Sequence, residues 1–332
     1  MTKTMKDRWE HGGDDYTVRL LSFLQWKLGE VGASIEPLKD GKWVLRSGGR
    51  KWFVKRYSSE KRFLLQEMLI KELLQGGFDH VIPMHPLHQT GVISFEGSVI
   101  GISYWLETAS DIDYADASDR QEAWRVLKGF HRASRRIQSS WVEDVPEFRW
   151  IDKWKKRMTL FDYHLSYLQH FIAPYYLSTY HEWGRWALEE LDALGPYKGR
   201  RCMVHGDVAH HNFLRGTDGR VHLIDFDLLS RSPAITDDIQ MANRVLPYLD
   251  WSLADVMAIP SIRKYRHDAA FFLGLMYPSD IFREWNRFIR EGQSYREHVW
   301  PYLVQITLGQ FHQRMRFVQE LHSELRRIIT HL

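Results

Sequence analysis

Cysteine and long apolar segments are nearly absent from the sequence. Cys202 is the single cysteine in 332 residues, so neither an internal disulfide nor a thiolate metal site can form, which fits a reducing compartment. The longest apolar run, residues 269–279, contains Pro278 and falls short of the roughly 18 residues that a membrane span needs. Residues 1–15 lack the apolar core of a secretory signal. We therefore expect a cytoplasmic protein with no membrane partner.

A strong net charge is also lacking. Lys and Arg total 45 against 42 for Asp and Glu, which leaves a formal charge of +3. General nucleic-acid binders carry a clustered basic excess, so we expect no nucleic-acid partner. Hydrophobic residues make up 44% and charged residues 26%, as in folded globular proteins. The length allows two modest domains or one bilobal unit.

The first third of the chain predicts a small β-rich lobe. Apolar residues recur with helical spacing over 16–28, and two β-like runs, 42–46 and 51–57, flank a glycine-containing turn. A helix is predicted over 61–78, ending at two glycines, and strand signals return at 91–107. Residues 1–107 are thus expected to form an antiparallel β lobe with one key helix.

The amino-acid composition changes at residues 108–119, which are acidic and rich in small residues. This segment predicts a connector, and its aspartates are interpreted as solvated or capping groups. Helical patterns dominate residues 120–332, interrupted by a strand-loop-strand block at 201–228. The expected fold class is α+β, with a small antiparallel β lobe followed by a larger, mainly helical lobe.

The strand-loop-strand block carries the most specific motif. His205-Gly206-Asp207 follows an apolar strand, Asn212 comes shortly after it, and Asp225 follows the next strand. Phosphoryl transfer to an alcohol needs a carboxylate to orient and deprotonate the hydroxyl, oxygen ligands for Mg²⁺ and cations on the phosphates. Asp207 is the candidate base, and Asn212 and Asp225 are candidate metal ligands of the oxygen type that Mg²⁺ prefers.

A candidate phosphate-binding lysine lies upstream. Lys55 is part of the second β-like run and precedes the helix that contains Glu67 and Glu72. A helix glutamate that orients a strand lysine is a recurring arrangement in nucleotide-binding sites.

These motifs together resemble the aminoglycoside phosphotransferase and choline kinase group of the protein-kinase-like fold. The resemblance spans nearly the whole chain and extends to the segments LKGFHRAS (127–134) and SPAITDDIQ (232–240). It implies a bilobal kinase that uses ATP or GTP with Mg²⁺ to phosphorylate a small-molecule hydroxyl substrate. It also implies Asp207 as catalytic base, Asn212 and Asp225 as metal ligands, and Lys55 as the nucleotide-phosphate lysine.

The same resemblance selects the partner of Lys55. The family places its glutamate about ten residues before the glycine that ends the helix, here Gly77, which favours Glu67 over Glu72. The nucleotide is expected near residues 104–108. Two departures from the family pattern are present: the segment 34–41 has one glycine where a phosphate-covering loop often has several, and Val208-Ala209-His210-His211 replaces a common His-Pro-Gly.

Two other functions remain open from the sequence. The segment LGLMYPSDIFREW (273–285) is similar to the spore-coat-associated, CotS-type branch of the group. With the glycine-poor first loop, it suggests a catalytically weak or inactive structural protein associated with spore-coat proteins. A third hypothesis is a hydrolase whose histidines, at positions 205, 210, 211 and 222, bind Zn²⁺ or iron together with two aspartates.

Overall fold

The computed structural model describes the backbone of residues 5–330 and the side chains of residues 15–328. The chain divides into two compact units that are interleaved along the sequence. Unit 1 comprises the residues up to Asp111, Arg132–Val145 and Phe213–Asp227, and unit 2 comprises Ile112–His131, Pro146–Asn212 and the residues from Leu228 onward. The first crossing between the units, at Asp111, lies inside the segment predicted as a connector.

The described strands are β1 (Ser34–Lys39), β2 (Lys42–Ser47), β3 (Arg50–Tyr57), β4 (Ser94–Phe95), β5 (Ser98–Tyr104), β6 (Thr108–Asp111), β7 (Arg201–Val204), β8 (Phe213–Gly216), β9 (Val221–Leu223) and β10 (Ser230–Pro233). The described α-helices are α1 (Met5–Leu28), α2 (Glu60–Gln75), α3 (Ala117–Ser134), α4 (Trp150–Leu168), α5 (Pro174–Leu194), α6 (Ile235–Val245), α7 (Leu253–Ala258), α8 (Ala269–Met276), α9 (Ser279–Arg290), α10 (Gln293–Val304) and α11 (Phe311–Thr330). Not one of these helices is both long and apolar enough to cross a membrane.

Unit 1 is built on an antiparallel sheet with the strand order β1-β2-β3-β5-β4. The predicted hairpin is present as β2 and β3, and Gly48 and Gly49 form its turn with φ values of 58° and 72°. Such left-handed backbone suits glycine and matches the twist of the paired strands. Apolar side chains of α1, among them Leu20 and Leu24, pack in one core with Trp43 and Val54 of the sheet.

Helix α2 spans Glu60–Gln75, in the region where the sequence predicts a helix over 61–78. The side chain of Ser59 caps its first turn by accepting a hydrogen bond from the Arg62 amide (3.3 Å). The chain leaves the helix at Gly76 and Gly77, and Gly77 has a φ of 80°. Its buried side chains, such as Phe63 and Leu69, fix which face of the helix is turned inward.

A second, three-stranded sheet in unit 1 has the order β6-β8-β9. Strand β6 lies within the predicted connector, so the first part of that segment is paired rather than loose. The aspartates that follow it act as caps: Asp113 Oδ1 accepts from the Ala115 amide, Asp116 Oδ1 from the Asp119 amide, and Asp119 Oδ2 from the Asp113 amide. The capping interpretation of these side chains therefore agrees with their contacts.

Unit 2 is mainly helical and contains one two-stranded ribbon of β7 and β10. Helix α4 packs against α5 and α9, and α8 packs against α5, α6 and α11. Large aromatic side chains fill its core: Trp124, Phe130, Phe161, Tyr180, Tyr277, Phe282, Trp285 and Phe311 are fully buried. The predicted α+β class is confirmed, with an antiparallel β-rich unit and a mainly helical unit.

Candidate functional site

Unit 1 contains a cavity of about 290 Å³. Its walls include residues of β2, β3, β5, α2 and the chain after β9. They also include Tyr104 at the end of β5, Trp105 and Leu106 in the link to β6, and Thr108 at the start of β6. Most of the lining is apolar, and the charged side chains are Lys42, Lys55 and Asp225. A mostly apolar cleft with a few convergent polar groups is typical of small-ligand sites.

Lys55 is fixed at this cavity by its strand. It lies opposite Gly101 in the β3–β5 pair and is 8% exposed. A Cβ atom at Gly101 would come within 2.6 Å of the Tyr57 ring, so only glycine allows this close packing. The Lys55 ammonium lies 2.8 Å from Asp225 Oδ1 and 2.7 Å from Asp227 Oδ2, and the predicted lysine therefore meets the predicted metal ligand Asp225.

Helix α2 presents a different residue to this ion pair than the sequence predicts. Among the described residues, the ion-pair partners of Lys55 are Asp225 and Asp227, and Glu67 is not one of them. The neighbouring Gln66 is buried and donates from Nε2 to Asp227 Oδ1 (3.1 Å). Consecutive helix residues point in different directions, so Glu67 is turned away, and burial raises its pKa against the opposing effect of Lys71. Glu72 instead accepts from Trp141 Nε1 (2.6 Å).

Asp225 has an unusual backbone and a strongly polarised carboxylate. Its φ of 65° is left-handed, a conformation that non-glycine residues adopt mainly at turns and functional sites. Lys42 Nζ lies 3.1 Å from its Oδ2, on the side opposite Lys55. Burial alone would raise the pKa of Asp225, but the two lysines hold it well below its usual range. The carboxylate is therefore an anion at neutral pH.

The second set of predicted residues lies in unit 2, on the loop after β7. Gly206 has a φ of 78°, and a Cβ atom there would come within 2.7 Å of the Leu228 carbonyl oxygen. The buried carboxylate of Asp237, on α6, accepts from the amides of His205 (2.8 Å) and Gly206 (2.9 Å). His131 of α3 contacts the same carboxylate through Nε2 at 2.9 Å. The two segments that carry the family resemblance, 127–134 and 232–240, thus meet behind this loop.

Asp237 acts as a charged brace. It is 0% exposed, and burial would raise its pKa, but His131, His205 and the Gly206 amide keep the pKa below the usual range. His205 is also fully buried, and its Nδ1 accepts from the Asp207 amide at 3.3 Å. Both contacts fix the backbone that presents Asp207.

Asp207 itself faces outward from the braced loop, with its side chain 37% exposed. Arg244 Nη2 lies 2.5 Å from Asp207 Oδ1. Asn212 is buried and donates from Nδ2 to the Asp207 carbonyl oxygen (2.8 Å), which leaves its amide oxygen available as a metal donor. Asp207 and Asn212, predicted as base and ligand, are therefore held in one loop of unit 2.

The donor chemistry of the two predicted ligands fits Mg²⁺, since a carboxylate and an amide oxygen are the hard ligands that it prefers. In the described part of the chain, no three His, Cys, Asp or Glu side chains are grouped so that they could hold a metal ion.

Sequence reasoning missed several residues of these sites. Lys42 and Asp227 in unit 1 and Arg244 in unit 2 contact predicted residues, and Gln66 contacts Asp227. Asp227 had a visible signal, since it follows Asp225 in the motif Asp-Phe-Asp. Lys42, Gln66 and Arg244 stand in ordinary strand and helix patterns that give no such signal.

Residues 40–247 match the family model of the phosphotransferase enzyme family. Among solved structures, an aminoglycoside phosphotransferase from Alicyclobacillus acidocaldarius superposes with a TM-score of 0.67 at 16% identity, covering 90% of this chain and 94% of that one. A spectinomycin phosphotransferase, solved with ADP and spectinomycin, gives a TM-score of 0.57 at 13% identity, with 93% and 97% covered. The choline kinase LicA from Streptococcus pneumoniae gives 0.51 at 14% identity, with 96% and 99% covered. A comparison with curated protein sequences finds no match.

These similarities confirm the predicted group and its fold. The spore-coat branch stays a prediction.

Proposed function

Because the chain belongs to the phosphotransferase enzyme family, we propose that it is a small-molecule kinase that transfers the γ-phosphoryl group of ATP or GTP to a hydroxyl group of its acceptor. The observation that carries this proposal is the half-buried Lys55–Asp225 ion pair at the edge of an apolar cavity in unit 1. Such a pair offers one cation for phosphate oxygens and one carboxylate for the metal ion that accompanies them.

Unit 1 would bind the nucleotide. The apolar walls, including Leu106, Leu214 and Ile224, suit a flat base, and Lys42 and Lys55 would contact the phosphates. The turn between β1 and β2 has a single glycine, Gly41, so fewer backbone amides are free to approach the phosphates than in a glycine-rich loop. Lys42 stands directly after this turn and supplies positive charge there instead.

Unit 2 would activate the acceptor. The Asp207 carboxylate takes the proton of the acceptor hydroxyl as the hydroxyl oxygen bonds to the γ-phosphorus. The bond from that phosphorus to the bridging oxygen of the nucleotide breaks at the same time, and ADP or GDP leaves. Asp237 and His205 hold the loop in place, which limits the orientational freedom of the base. Asp225 would hold the Mg²⁺ that accompanies the nucleotide and neutralises charge on its phosphates, and the amide oxygen of Asn212 is the other predicted ligand.

A thermal-shift titration with ATP and with GTP, each with and without Mg²⁺, tests this function. Binding to the native state stabilises it by about 2.7 kcal/mol at a nucleotide concentration 100 times the dissociation constant, so a Mg²⁺-dependent rise of the melting temperature is expected. No shift at millimolar nucleotide would contradict the proposal. That result would favour the structural spore-coat alternative, which predicts no nucleotide binding.

A further inference from the structure

Four cationic side chains of unit 2 interact with one another, and two of them, Arg244 and Lys153, also interact with the candidate base Asp207. Lys153 and Arg157 lie four residues apart on α4 and therefore on the same face of that helix, Arg244 lies on α6, and Arg283 lies on α9. All four are half-buried. We call this group the basic cluster.

Two hydrogen bonds join α4 to α9 and to the residue that follows α8. Asn286 of α9 donates from Nδ2 to the Arg157 carbonyl oxygen (2.8 Å), and Tyr277 donates to the Trp154 carbonyl oxygen (2.8 Å). Arg244 reaches Asp207 directly, at 2.5 Å. The cluster is therefore part of the packed structure around Asp207 rather than a set of mobile surface side chains.

The cations of the basic cluster outnumber their carboxylate partners. Asp207 pairs with Arg244, and Glu284 pairs with Arg283 (2.6 Å). Asp280, the next carboxylate on α9, pairs with Arg314. Lys153 and Arg157 form no ion pair with any carboxylate in the described part of the chain, and the Lys153 ammonium instead lies 4.9 Å from the centre of the Phe148 ring.

Half-buried cations that form no ion pair with a carboxylate are costly, because desolvation and mutual repulsion both act against them. Burial, and then Arg157, lower the pKa of Lys153, against the opposing effect of Asp207. Burial, and then Arg283, lower the pKa of Arg157, against the opposing effects of Tyr277 and Glu284. Burial, and then Arg283, also lower the pKa of Arg244. A site that keeps repelling charges together beside a reactive carboxylate is typical of a binding site for a ligand of opposite charge.

We propose that the acceptor carries an anionic group, of the phosphate, sulfate or carboxylate type, in addition to the hydroxyl that is phosphorylated. Lys153 and Arg157 bind this group, and the guanidinium of Arg157 suits it because its planar donors match two anionic oxygens at once. A quaternary ammonium or polyamine acceptor would be repelled by the same charges. The inference rests on the proposed function, since it names the substrate class of that site.

The test uses the full chain with saturating ADP and Mg²⁺, so that the nucleotide site is filled. Three small hydroxy compounds are titrated by calorimetry: glycerol 3-phosphate as the anion, glycerol as the neutral match and choline as the cation. We expect only glycerol 3-phosphate to bind, and its affinity should fall as the salt concentration rises.

Lys153→Gln and Arg157→Gln should each weaken the binding of glycerol 3-phosphate at least about tenfold, the loss expected for one charge-assisted contact. Lys156→Gln, the same charge change at an exposed position of the same helix, should not alter it.

Three outcomes would overturn the inference: choline binding more tightly than glycerol 3-phosphate, no binding of glycerol 3-phosphate at millimolar concentration, or wild-type affinity in both α4 variants. The ADP titration that precedes each experiment separates this inference from the proposed function. Absence of ADP binding contradicts the kinase proposal, whereas normal ADP binding with a failed anion titration contradicts the anionic acceptor alone. Unchanged ADP affinity and circular dichroism in the variants show that they are folded.

Discussion

The two units surround their candidate functional carboxylates with different amounts of positive charge. In unit 1, Lys42 and Lys55 face Asp225 and Asp227, so lysines and carboxylates balance. In unit 2, Arg244 forms an ion pair with Asp207, while Lys153 and Arg157 form no ion pair with a carboxylate among the described residues. A balanced site suits a ligand that arrives with its own counter-ion, as a nucleotide does with Mg²⁺, whereas an unbalanced site needs its ligand to supply the missing charge.

The carboxylates also differ in exposure according to their tasks. Asp207 is 37% exposed, as a group that must reach an acceptor has to be, whereas Asp237 behind it is fully buried. The buried carboxylate is compensated by His131 and two backbone amides, so its charge stabilises the loop without being open to a ligand. Substitution of Asp207, Asp237 or Lys55 should therefore affect mainly turnover, the free energy of unfolding or the affinity for ADP, respectively.

The largest expected effect is on turnover, in Asp207→Asn. The amide cannot take the proton of the acceptor hydroxyl, so kcat should fall about 10³-fold, within the usual range for loss of a general base. The affinity of unit 1 for ADP and Mg²⁺ should stay at the wild-type value, because Asp207 belongs to unit 2 and is proposed to act on the acceptor. Steady-state ADP release and calorimetric ADP titration measure the two quantities. Wild-type turnover in the variant would remove Asp207 from its role as base.

The next effect is on the stability of unit 2, in Asp237→Asn. The substitution leaves His131 and the loop amides without their charged acceptor, which should lower the free energy of unfolding by about 3 kcal/mol. Urea titration monitored by tryptophan fluorescence measures the loss. Asp255→Asn, at an exposed position of α7, is the matched control and should cost much less. Equal losses in the two variants would show that Asp237 is not a brace.

The balance in unit 1 is broken by Lys55→Met. Loss of one cation from the phosphate site should weaken ADP binding about 30-fold, or about 2 kcal/mol, because charge-assisted hydrogen bonds contribute on this scale. Lys61→Met removes an exposed lysine that pairs with Asp144 in the same unit, and its ADP affinity should be that of the wild type. Calorimetry gives both values. Equal ADP affinity in the two variants would count against Lys55 as a phosphate ligand.

Local signals explain which parts of the fold and the site could be predicted. Gly48 and Gly49 set the hairpin turn, Gly77 ends α2, and the order of Asp207, Asn212 and Asp225 defines two loops, all within short stretches of sequence. Contacts between distant segments could not be predicted in this way. Strand β6 has no alternating pattern of its own and is a strand because it pairs with β8, which lies far along the chain.

The site residues that were missed depend on side-chain direction. Gln66 rather than Glu67 reaches Asp227, and one residue of helix rotation decides between them. Arg244 and Lys42 gain their importance from partners on other elements, Asp207 and Asp225. The spacing of Lys153 and Arg157 is visible in the sequence as a same-face pair, but the interaction of Asp207 with Lys153 is not.

The smallest predicted effect concerns acid and distinguishes the buried polar groups of the two units. In unit 1, His88 accepts from the Ile102 amide through Nε2 (2.9 Å), and burial, followed by His85, lowers its pKa to about 4. The unfolded chain, with a histidine pKa of about 6.5, therefore binds this proton first as the pH falls. The stability due to neutral His88 is complete above that value and declines towards pH 4, by about 1 kcal/mol between about pH 7 and 5.5. In unit 2, the lowered pKa of Asp237 places the loss of the stability that it contributes at still lower pH, below the ordinary aspartate range.

The variant His88→Gln keeps a hydrogen-bond acceptor but cannot bind the proton. Urea titrations at about pH 7 and pH 5.5 should therefore show a smaller decline in the free energy of unfolding than in the wild type. The control His170→Gln, at an exposed position, should leave the decline unchanged. A wild-type decline in His88→Gln would place the acid-sensitive group elsewhere.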